Sequence, residues 1–320
     1  MPLTRAAGLP LMWRATAAGT TGVGQQAVTA QGAAIWRVAP VIFVILWAGG
    51  YTFAKLGLPH IEPITMLVVR FGIAAVILGA ILSVLRVPWP RRAAHWGALA
   101  LSGFLIQSVY FGLGYIALKS GVNAGTMAIL MALQPILVGA LSIWLSPGAG
   151  GGWRLWAGLG LGFGGVVLVV LSGDTLGPSP GLGFGFAMAA LVGITAATLF
   201  EKRHGFATHP LVGSLVQYVV GFVTLLPVAL VFETGEIDWA PELIVALAYL
   251  VIGNSLISVT LFVGLVQRGN ATRISALLYL VPPLAVLIAW AVLGETLGTL
   301  AFAGFVLSVA GVWMVNRATS

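Results

Sequence analysis

The sequence has no cysteine and little charge. Only 7% of its 320 residues are charged, and only eight of them are Asp or Glu. A soluble domain needs about 25% charged residues to cover its surface in water, so an ordinary soluble fold is excluded. Without cysteine the chain can form no disulfide bond, no thiolate nucleophile and no Cys-ligated metal site.

What the sequence has instead is apolar residues, which make up 59% of the chain and give a mean hydropathy of +1.06. Apolar stretches recur that reach the roughly 18 residues needed to cross the hydrocarbon layer of a bilayer as a helix. They are apolar on all faces, whereas the strands of an outer-membrane barrel alternate with a period of two. The sequence therefore predicts an all-α integral membrane protein whose surface faces the lipid bilayer.

The hydropathy pattern predicts ten transmembrane helices after a disordered cytoplasmic tail at residues 1–36. Pro63, Pro210 and Pro241 stand at or just before predicted helix starts, where the missing N–H costs little. The predicted helices are 38–57, 64–85, 94–118, 122–145, 154–172, 182–201, 211–232, 242–266, 271–293 and 298–316.

The basic residues predict the orientation, because Lys and Arg concentrate in cytoplasmic loops. With the N-terminus inside, twelve of them fall on the cytoplasmic side and only Lys55 and Lys119 fall outside, while Arg70 lies within the second helix. Seven of the eight acids fall outside. Both termini are predicted to be cytoplasmic, in a multi-pass protein of the cell inner (plasma) membrane. No basic run indicates nucleic-acid binding.

A shift of 147 residues aligns the chain with itself and defines two repeats, residues 37–173 and 174–317. The matching positions include Gln107-Ser108 with Asn254-Ser255, Asn123 with Asn270, and Pro135 with Pro282. Because each repeat contains five predicted helices, an odd number, the second copy must cross the membrane in the opposite sense. Inverted repeats of this kind build many secondary transporters, with the substrate site between the halves.

These residues also resemble the EamA-like family of the drug/metabolite transporter superfamily. The resemblance covers about residues 38–316 and depends on Trp47, Lys55, Arg70, Pro135, Pro282 and the tripeptide Leu293-Gly294-Glu295. It implies a transporter of a small metabolite or amino-acid-like solute, working outward, with a cavity lined by helices 1–4 and 6–9. One position departs from the pattern, because Ala149 stands where the first repeat would carry its own Glu.

Eleven polar or aromatic residues are candidates for substrate contact. Arg70 lies about 10 Å from the end of its helix, where a charge is costly and marks a functional hypothesis. Three interpretations are open: Arg70 binds an anionic group of the substrate, its side chain extends to the membrane interface, or it hydrogen-bonds to a neighbouring helix. The buried amides of Gln107 and Asn254 need partners, either between helices or in a cavity. The full set is Trp47, Tyr51, Arg70, Gln107, Tyr110, Gln134, Gln217, Tyr218, Asn254, Ser258 and Tyr279.

Three further residues have predicted mechanical roles. Pro135 and Pro282 are predicted within helix interiors, where the missing N–H bends a helix. They are candidates for hinges of a transport cycle, with a static kink as the alternative. Glu295 is expected to cap the helix that follows it or to bond a loop, since an acid suits a helix N-terminus.

No catalytic constellation is found. The four histidines fall at predicted helix ends or in loops, no Asp falls in a span, and no phosphate-binding loop is present. We therefore expect no catalytic residue, metal or cofactor, a small-molecule substrate as partner, and a monomer or weak homodimer. Because no carboxylate is predicted near the centre of the bundle, we expect facilitated diffusion or exchange. An intramembrane lipid-modifying enzyme and a non-transporting membrane scaffold are the alternatives.

Overall fold

The structure is a computed structural model that describes residues 38–85, 87, 89–90, 92–145, 153–172, 180–204, 208–268 and 280–319. The predicted tail at 1–36, Ala149, Asn270 and Tyr279 lie outside these described residues. Pro40–Ser320 form one compact unit.

The described residues fold into helices whose bounds fall close to the predicted ones, except that the predicted start of the ninth helix at 271 lies outside the described residues. They are α1 Val38–Gly57, α2 Pro63–Leu85, α3 Ala93–Lys119, α4 in two pieces, Ala124–Met131 and Gln134–Leu145, α5 Trp153–Leu171, α6 Pro180–His204, α7 Pro210–Phe232, α8 in three pieces, Pro241–Ala248, Tyr249–Ser258 and Val259–Arg268, α9 Val281–Leu293, and α10 Thr299–Thr319. Pro63, Pro210 and Pro241 each occupy a first helical position, where proline's fixed φ favours the helix.

Seven of these helices, α1–α4 and α6–α8, are long and apolar enough to cross a membrane, by length and composition. The helices α5, α9 and α10 contain shorter apolar segments. No strand occurs in the described parts of the chain, apart from an isolated β-bridge between Ile61 and Ile237. Large apolar side chains such as Val84 and Phe232, each 80% exposed, cover the outside of the helices. Such a surface suits lipid, which agrees with the predicted all-helical membrane protein.

Helix α4 is broken where a single helix was predicted. Its first piece ends at Met131, and its second begins at Gln134, with Pro135 as the second residue. Pro282 is likewise the second residue of α9. Pro135 thus follows directly on the interruption of α4, where a bend was predicted from its missing N–H, and Pro282 lies in the first turn of the described part of α9. Their role as hinges stays a prediction.

Helices α3 and α8 each contain a π-helical segment, Phe104–Tyr110 and Tyr249–Ser258. The two segments occupy equivalent positions under the 147-residue shift and contain the paired amides Gln107 and Asn254. A π-helical turn is rare and is frequently found at functional sites. The sequence pairs the two amides but does not predict the π-helical backbone.

The acidic side chains gather at one end of the bundle, which we call the acidic end after Glu62, Glu233, Asp238 and Glu295. Glu62 accepts the backbone N–H of Thr234 at 2.6 Å, and Glu233 accepts that of Ile64 at 2.9 Å. Lys55 pairs with Glu295 at 2.8 Å. These contacts join the end of α7 to the start of α2, and α1 to the loop between α9 and α10. The opposite end, with Arg92, Lys202 and Arg203, is called the basic end.

The helix directions follow from contacts near the acidic end. Helix α1 ends there at Gly57, whereas α6 begins there, because Gly183 lies against Ser120 and Val122 of the α3–α4 loop. The helices α5 and α10 pack antiparallel, with Gly165 against the backbone of Gly304. Thus α1 and α6 run in opposite directions.

Candidate functional site

The centre of the site is Arg70, which is only 2% exposed although it carries a permanent charge. Its guanidinium donates hydrogen bonds to the Tyr115 hydroxyl at 2.8 Å and to Asn254 Oδ1 at 2.8 Å. It also donates from Nε and Nη2 to the Ser255 hydroxyl, both at 3.1 Å. Arg70 therefore does not snorkel to an interface. It joins α2 to α3 and to the π-helical segment of α8.

No acid in the described chain neutralises the Arg70 charge, since none of its hydrogen-bond partners is a carboxylate and it forms no ion pair within 4.0 Å. The guanidinium carbon lies 4.9 Å from the ring centre of Phe111 and 5.6 Å from that of Phe71. Neutral acceptors and ring faces stabilise a cation but leave its net charge. The surroundings of Arg70 thus favour an anion.

Several of the predicted contact residues connect this cluster to neighbouring helices through hydrogen bonds. Tyr218 donates to the Ser255 carbonyl at 2.9 Å, and Asn254 Nδ2 donates to the Leu46 carbonyl at 3.1 Å. Ser258 is fully buried and donates to the Phe43 carbonyl at 3.5 Å. In these contacts the three side chains hold α8 against α1 and α7, as interhelical polar bonds do in membranes.

The predicted aromatic residues divide into two groups. The half-buried hydroxyls of Tyr51 and Tyr110 hydrogen-bond to each other and join α1 to α3. Trp47 instead is 41% exposed and packs against Phe43 and Phe262 with tilted rings. Trp47 therefore contributes to an outer aromatic cluster, and nothing in its contacts connects it with Arg70.

Gln107 is 4% exposed, and its side-chain carbonyl oxygen is buried without a hydrogen-bond partner among the described residues. Its Cβ packs closely on Gly221 of α7, where an added Cβ would lie 2.6 Å away. The neighbouring Ser108 hydroxyl bonds Thr224 at 2.5 Å. A buried amide oxygen without a donor is costly, so this position suits a water molecule or a polar group of a substrate.

A second polar cluster lies toward the basic end and contains an acid that the sequence analysis overlooked. The Ser102 hydroxyl donates to Glu201, and Gln217 Nε2 donates to Ser102 at 3.1 Å and to Glu201 at 3.2 Å. Gln134 Nε2 donates to the Thr198 hydroxyl at 2.7 Å. Glu201 could have been noticed as the single acid that the orientation rule places on the cytoplasmic side.

The acidic end is closed by a network around Lys55 and Glu295. Lys55 bonds Asn123 Oδ1 at 2.9 Å and the Val122 carbonyl at 3.0 Å, besides its ion pair with Glu295. Glu295 also accepts the first two N–H groups of α4, from Ala124 at 3.1 Å and Gly125 at 3.2 Å. The acid thus caps α4 and not the helix that follows it, which corrects the first of the two predicted roles.

This capping follows from local geometry. Gly294 adopts a left-handed conformation, with φ of 68°, at the end of α9, as glycine commonly does after a helix. The turn directs Glu295 toward α4, whose positive N-terminal dipole end favours an acid.

A cavity of about 600 Å³ opens at the acidic end. Its lining residues are Pro59, His60, Ile61, Glu62, Lys119, Thr234, Glu236, Ile237 and Asp238. The set includes none of the predicted contact residues, so this cavity lies apart from the Arg70 cluster.

Comparison with known proteins shows what these clusters belong to. Residues 34–171 and 181–317 each match the EamA-like transporter family. The chain belongs to this family. The similarity to EamA-like transporters predicted from Arg70, Glu295 and the paired prolines is therefore confirmed.

Several proteins with transporter names are similar over most of their length. The uncharacterized transporter YvbV of Bacillus subtilis is 26% identical over 85% of this chain and 88% of its own. A protein of Streptantibioticus cattleyicolor named "Probable terminal-alkyne amino-acid exporter" is 28% identical over 89% and 94%. One of Salmonella typhimurium named "Probable amino-acid metabolite efflux pump" is 26% identical over 86% and 92%. These names indicate transporters rather than enzymes.

A solved crystal structure also resembles this EamA-like chain. It is 19% identical, with a TM-score of 0.59 over 89% of this chain and 98% of its own. At this identity the likeness concerns the fold alone.

Proposed function

We propose that this EamA-like transporter exports a small carboxylate-bearing metabolite or amino-acid-like solute by alternating access. The observation that carries the proposal is the buried Arg70 charge, which lies between the two halves with neutral partners only. A guanidinium binds a carboxylate through two parallel hydrogen bonds. The proposed cargo supplies the charge that the described protein does not.

Three observations support two inverted five-helix repeats, α1–α5 and α6–α10. The family matches twice, once over each half of the chain. The π-helical segments of α3 and α8 lie at equivalent positions, and α1 and α6 run in opposite directions. In this arrangement all five helices of each half cross the membrane, the shorter ones included. The basic end and both termini face the cytoplasm.

Cargo binding at Arg70 provides a route to the conformational change. A carboxylate that takes over the Nη1 and Nη2 donors competes with Tyr115 of α3 at Nη1 and with Asn254 and Ser255 of α8 at Nη2. The competition weakens the bonds between α2 and α8, so the two states of the carrier bind the cargo differently. A ligand shifts a conformational equilibrium only through such a difference in affinity.

The names of the relatives support the direction and the class of cargo. Two relatives are named "Probable terminal-alkyne amino-acid exporter" and "Probable amino-acid metabolite efflux pump", and an amino acid carries a carboxylate. The unpartnered Gln107 oxygen supplies an acceptor for a donor group on the same solute.

The proposal is tested by counterflow in proteoliposomes with paired solutes, a carboxylate and its primary amide. Arg70→Gln removes the charge and should weaken carboxylate binding roughly 10- to 150-fold, because a hydrogen bond to a charged group contributes about 1.5–3 kcal/mol. Arg70→Lys keeps the charge and should lose less. Arg92→Gln, at an exposed basic residue, is the matched control. Equal carboxylate affinity in folded Arg70→Gln and in wild type would refute the clamp.

A further inference from the structure

The two halves of the chain carry equivalent pairs of polar residues. The 147-residue shift matches Arg70 of α2 with Gln217 of α7, and it matches Asn254 of α8 with Gln107 of α3. Arg70 is the eighth residue of α2 and Gln217 the eighth of α7, about 10 Å from the start of each helix. Since α2 starts at the acidic end and α7 at the basic end, the two pairs lie at corresponding depths from opposite ends of the bundle.

Only one of the two pairs is hydrogen-bonded. Arg70 Nη2 donates to Asn254 Oδ1 at 2.8 Å. In the other pair, Gln217 Nε2 donates within the second polar cluster, at 3.1 and 3.2 Å. Gln107 Oε1, the counterpart of Asn254 Oδ1, is buried and finds no partner in the part of the chain that the structure describes. The structure therefore shows one pair formed and the equivalent pair unformed.

The two glutamines of the unformed pair lie on the facing sides of α3 and α7. A Cβ added to Gly103 of α3 would lie 2.9 Å from Gln217 Cα, and one added to Gly221 of α7 would lie 2.6 Å from Gln107 Cβ. Gly103 and Gln107 are one helical turn apart, as are Gln217 and Gly221, so the two side chains are attached about 6 Å apart along the same contact. A change of side-chain rotamer brings the Gln217 donor toward the Gln107 oxygen without a large displacement of either helix.

The ion pair between Lys55 and Glu295 at the acidic end has no counterpart in the other half of the sequence. Lys202, the equivalent of Lys55, is exposed, and the first repeat carries Ala149 in place of an acid. When two inverted repeats are nearly equivalent, each half takes over the arrangement of the other as the carrier opens to its other side. The state open toward the acidic end therefore lacks such an ion pair and needs other contacts between the halves.

A hydrogen bond between the two glutamines meets this requirement. Gln217 can leave the second polar cluster at small cost, because Ser102 and Glu201 also bond to each other. The Gln107 oxygen gains the donor that it lacks, and a buried acceptor without a donor is costly. The new bond is neutral, whereas the Arg70 bond is charge-assisted and roughly twice as strong. The present state is therefore favoured until cargo takes over the Arg70 donors.

We propose that Gln217 donates a hydrogen bond to Gln107 when the carrier is open toward the acidic end. This contact is the counterpart of the bond between Arg70 and Asn254, which the present state forms and the opposite state breaks. The inference rests on the proposed alternating access between inverted repeats. It gives the two glutamines a role in the conformational change that is separate from any contact with cargo.

The test follows the opening of the acidic end in purified protein without cargo. Val122→Cys places a thiol, in a chain without cysteine, at a position that is 1% exposed, and its labelling by a membrane-impermeant maleimide reports the open population. Gln107→Leu removes a bond of the open state only, so labelling should slow about 2- to 12-fold, the factor for one neutral hydrogen bond. In the Gln217→Leu background the same change should have no effect. Asn254→Leu, the equivalent change in the other half, should instead accelerate labelling, because it removes a bond of the present state.

The outcomes separate this inference from the function on which it rests. Equal labelling with and without Gln107→Leu overturns the contact, and so does equal slowing in the presence and in the absence of Gln217. If Gln217→Leu does not fold, Gln217→Met, with a side chain of similar length, replaces it in the same comparison. Counterflow by the wild type together with either of these results leaves the transport function intact. Absence of any counterflow overturns both proposals.

Discussion

The ion pair between Lys55 and Glu295 gives a direct test of how the acidic end is closed. The change Glu295→Gln preserves the shape of the side chain and one oxygen for the N–H groups of α4. It removes the charge that Lys55 binds at 2.8 Å. We expect the acidic end to open more often in this variant, because the pair joins the α1 side of the bundle to the α9–α10 loop.

The size of the effect follows from the burial of the pair. The side chains of Lys55 and Glu295 are 23% and 13% exposed. Breaking a fully buried pair costs about 3–5 kcal/mol, and an exposed pair contributes about 0–1 kcal/mol. For this partly buried pair we expect about 2 kcal/mol, which changes the ratio of open to closed molecules about 30-fold.

The assay makes use of the absence of cysteine from the chain. A single Val122→Cys change introduces a thiol at a position that is 1% exposed beneath the Lys55 contact. We expect its reaction with a membrane-impermeant maleimide to be about 30-fold faster when Glu295→Gln is added. Asp238→Asn, at an exposed acid of the same end, is the control. Equal labelling rates in the two double variants would show that the pair does not hold this end closed.

Two further predictions concern stability. Hydrogen bonds from Thr234, first of all from its hydroxyl, lower the pKa of Glu62 below its usual 4.5. This contact therefore stabilises the folded protein above pH 4.5, and the stabilisation is lost as the pH falls through the lowered pKa. Glu62→Gln should therefore flatten the acid side of a plot of melting temperature against pH, and an unchanged slope would contradict this. A Cβ on Gly304 would collide with the carbonyl of Gly165, so Gly304→Leu should destabilise the α5–α10 pair by about 1–3 kcal/mol or more. Its melting temperature is to be compared with that of Phe302→Leu, at an exposed site on α10, and equal values would refute the close packing.

Much of the fold can be predicted because lipid demands long apolar helices with satisfied backbones. Helices α2 and α7 begin within one residue of their predicted starts, since Pro63 and Pro210 fit a first helical position. The bend of α4 is predicted from Pro135, although the complete interruption of the helix is not. The π-helical segments of α3 and α8 are not predicted, because they leave no simple period in the sequence.

The sequence predicts which residues form the site better than it predicts which residues they contact. Arg70, Gln107 and Asn254 stand out because a polar group in an apolar helix needs a hydrogen-bond partner or a functional role. Their contacts depend on which helices meet, and Arg70 bonds Asn254, which is 184 residues away. Glu201 was missed because its position near a helix end resembles a solvated interface until α3 and α7 are brought against it.

We propose above all that this chain carries carboxylate solutes across a membrane. The most direct measurement is counterflow by purified wild-type protein in liposomes preloaded with a carboxylate solute. We predict a transient accumulation of the labelled carboxylate and a much smaller one when its primary amide replaces it inside and out. The account is contradicted if protein-containing and protein-free liposomes accumulate the labelled carboxylate equally across a panel of amino-acid-like solutes.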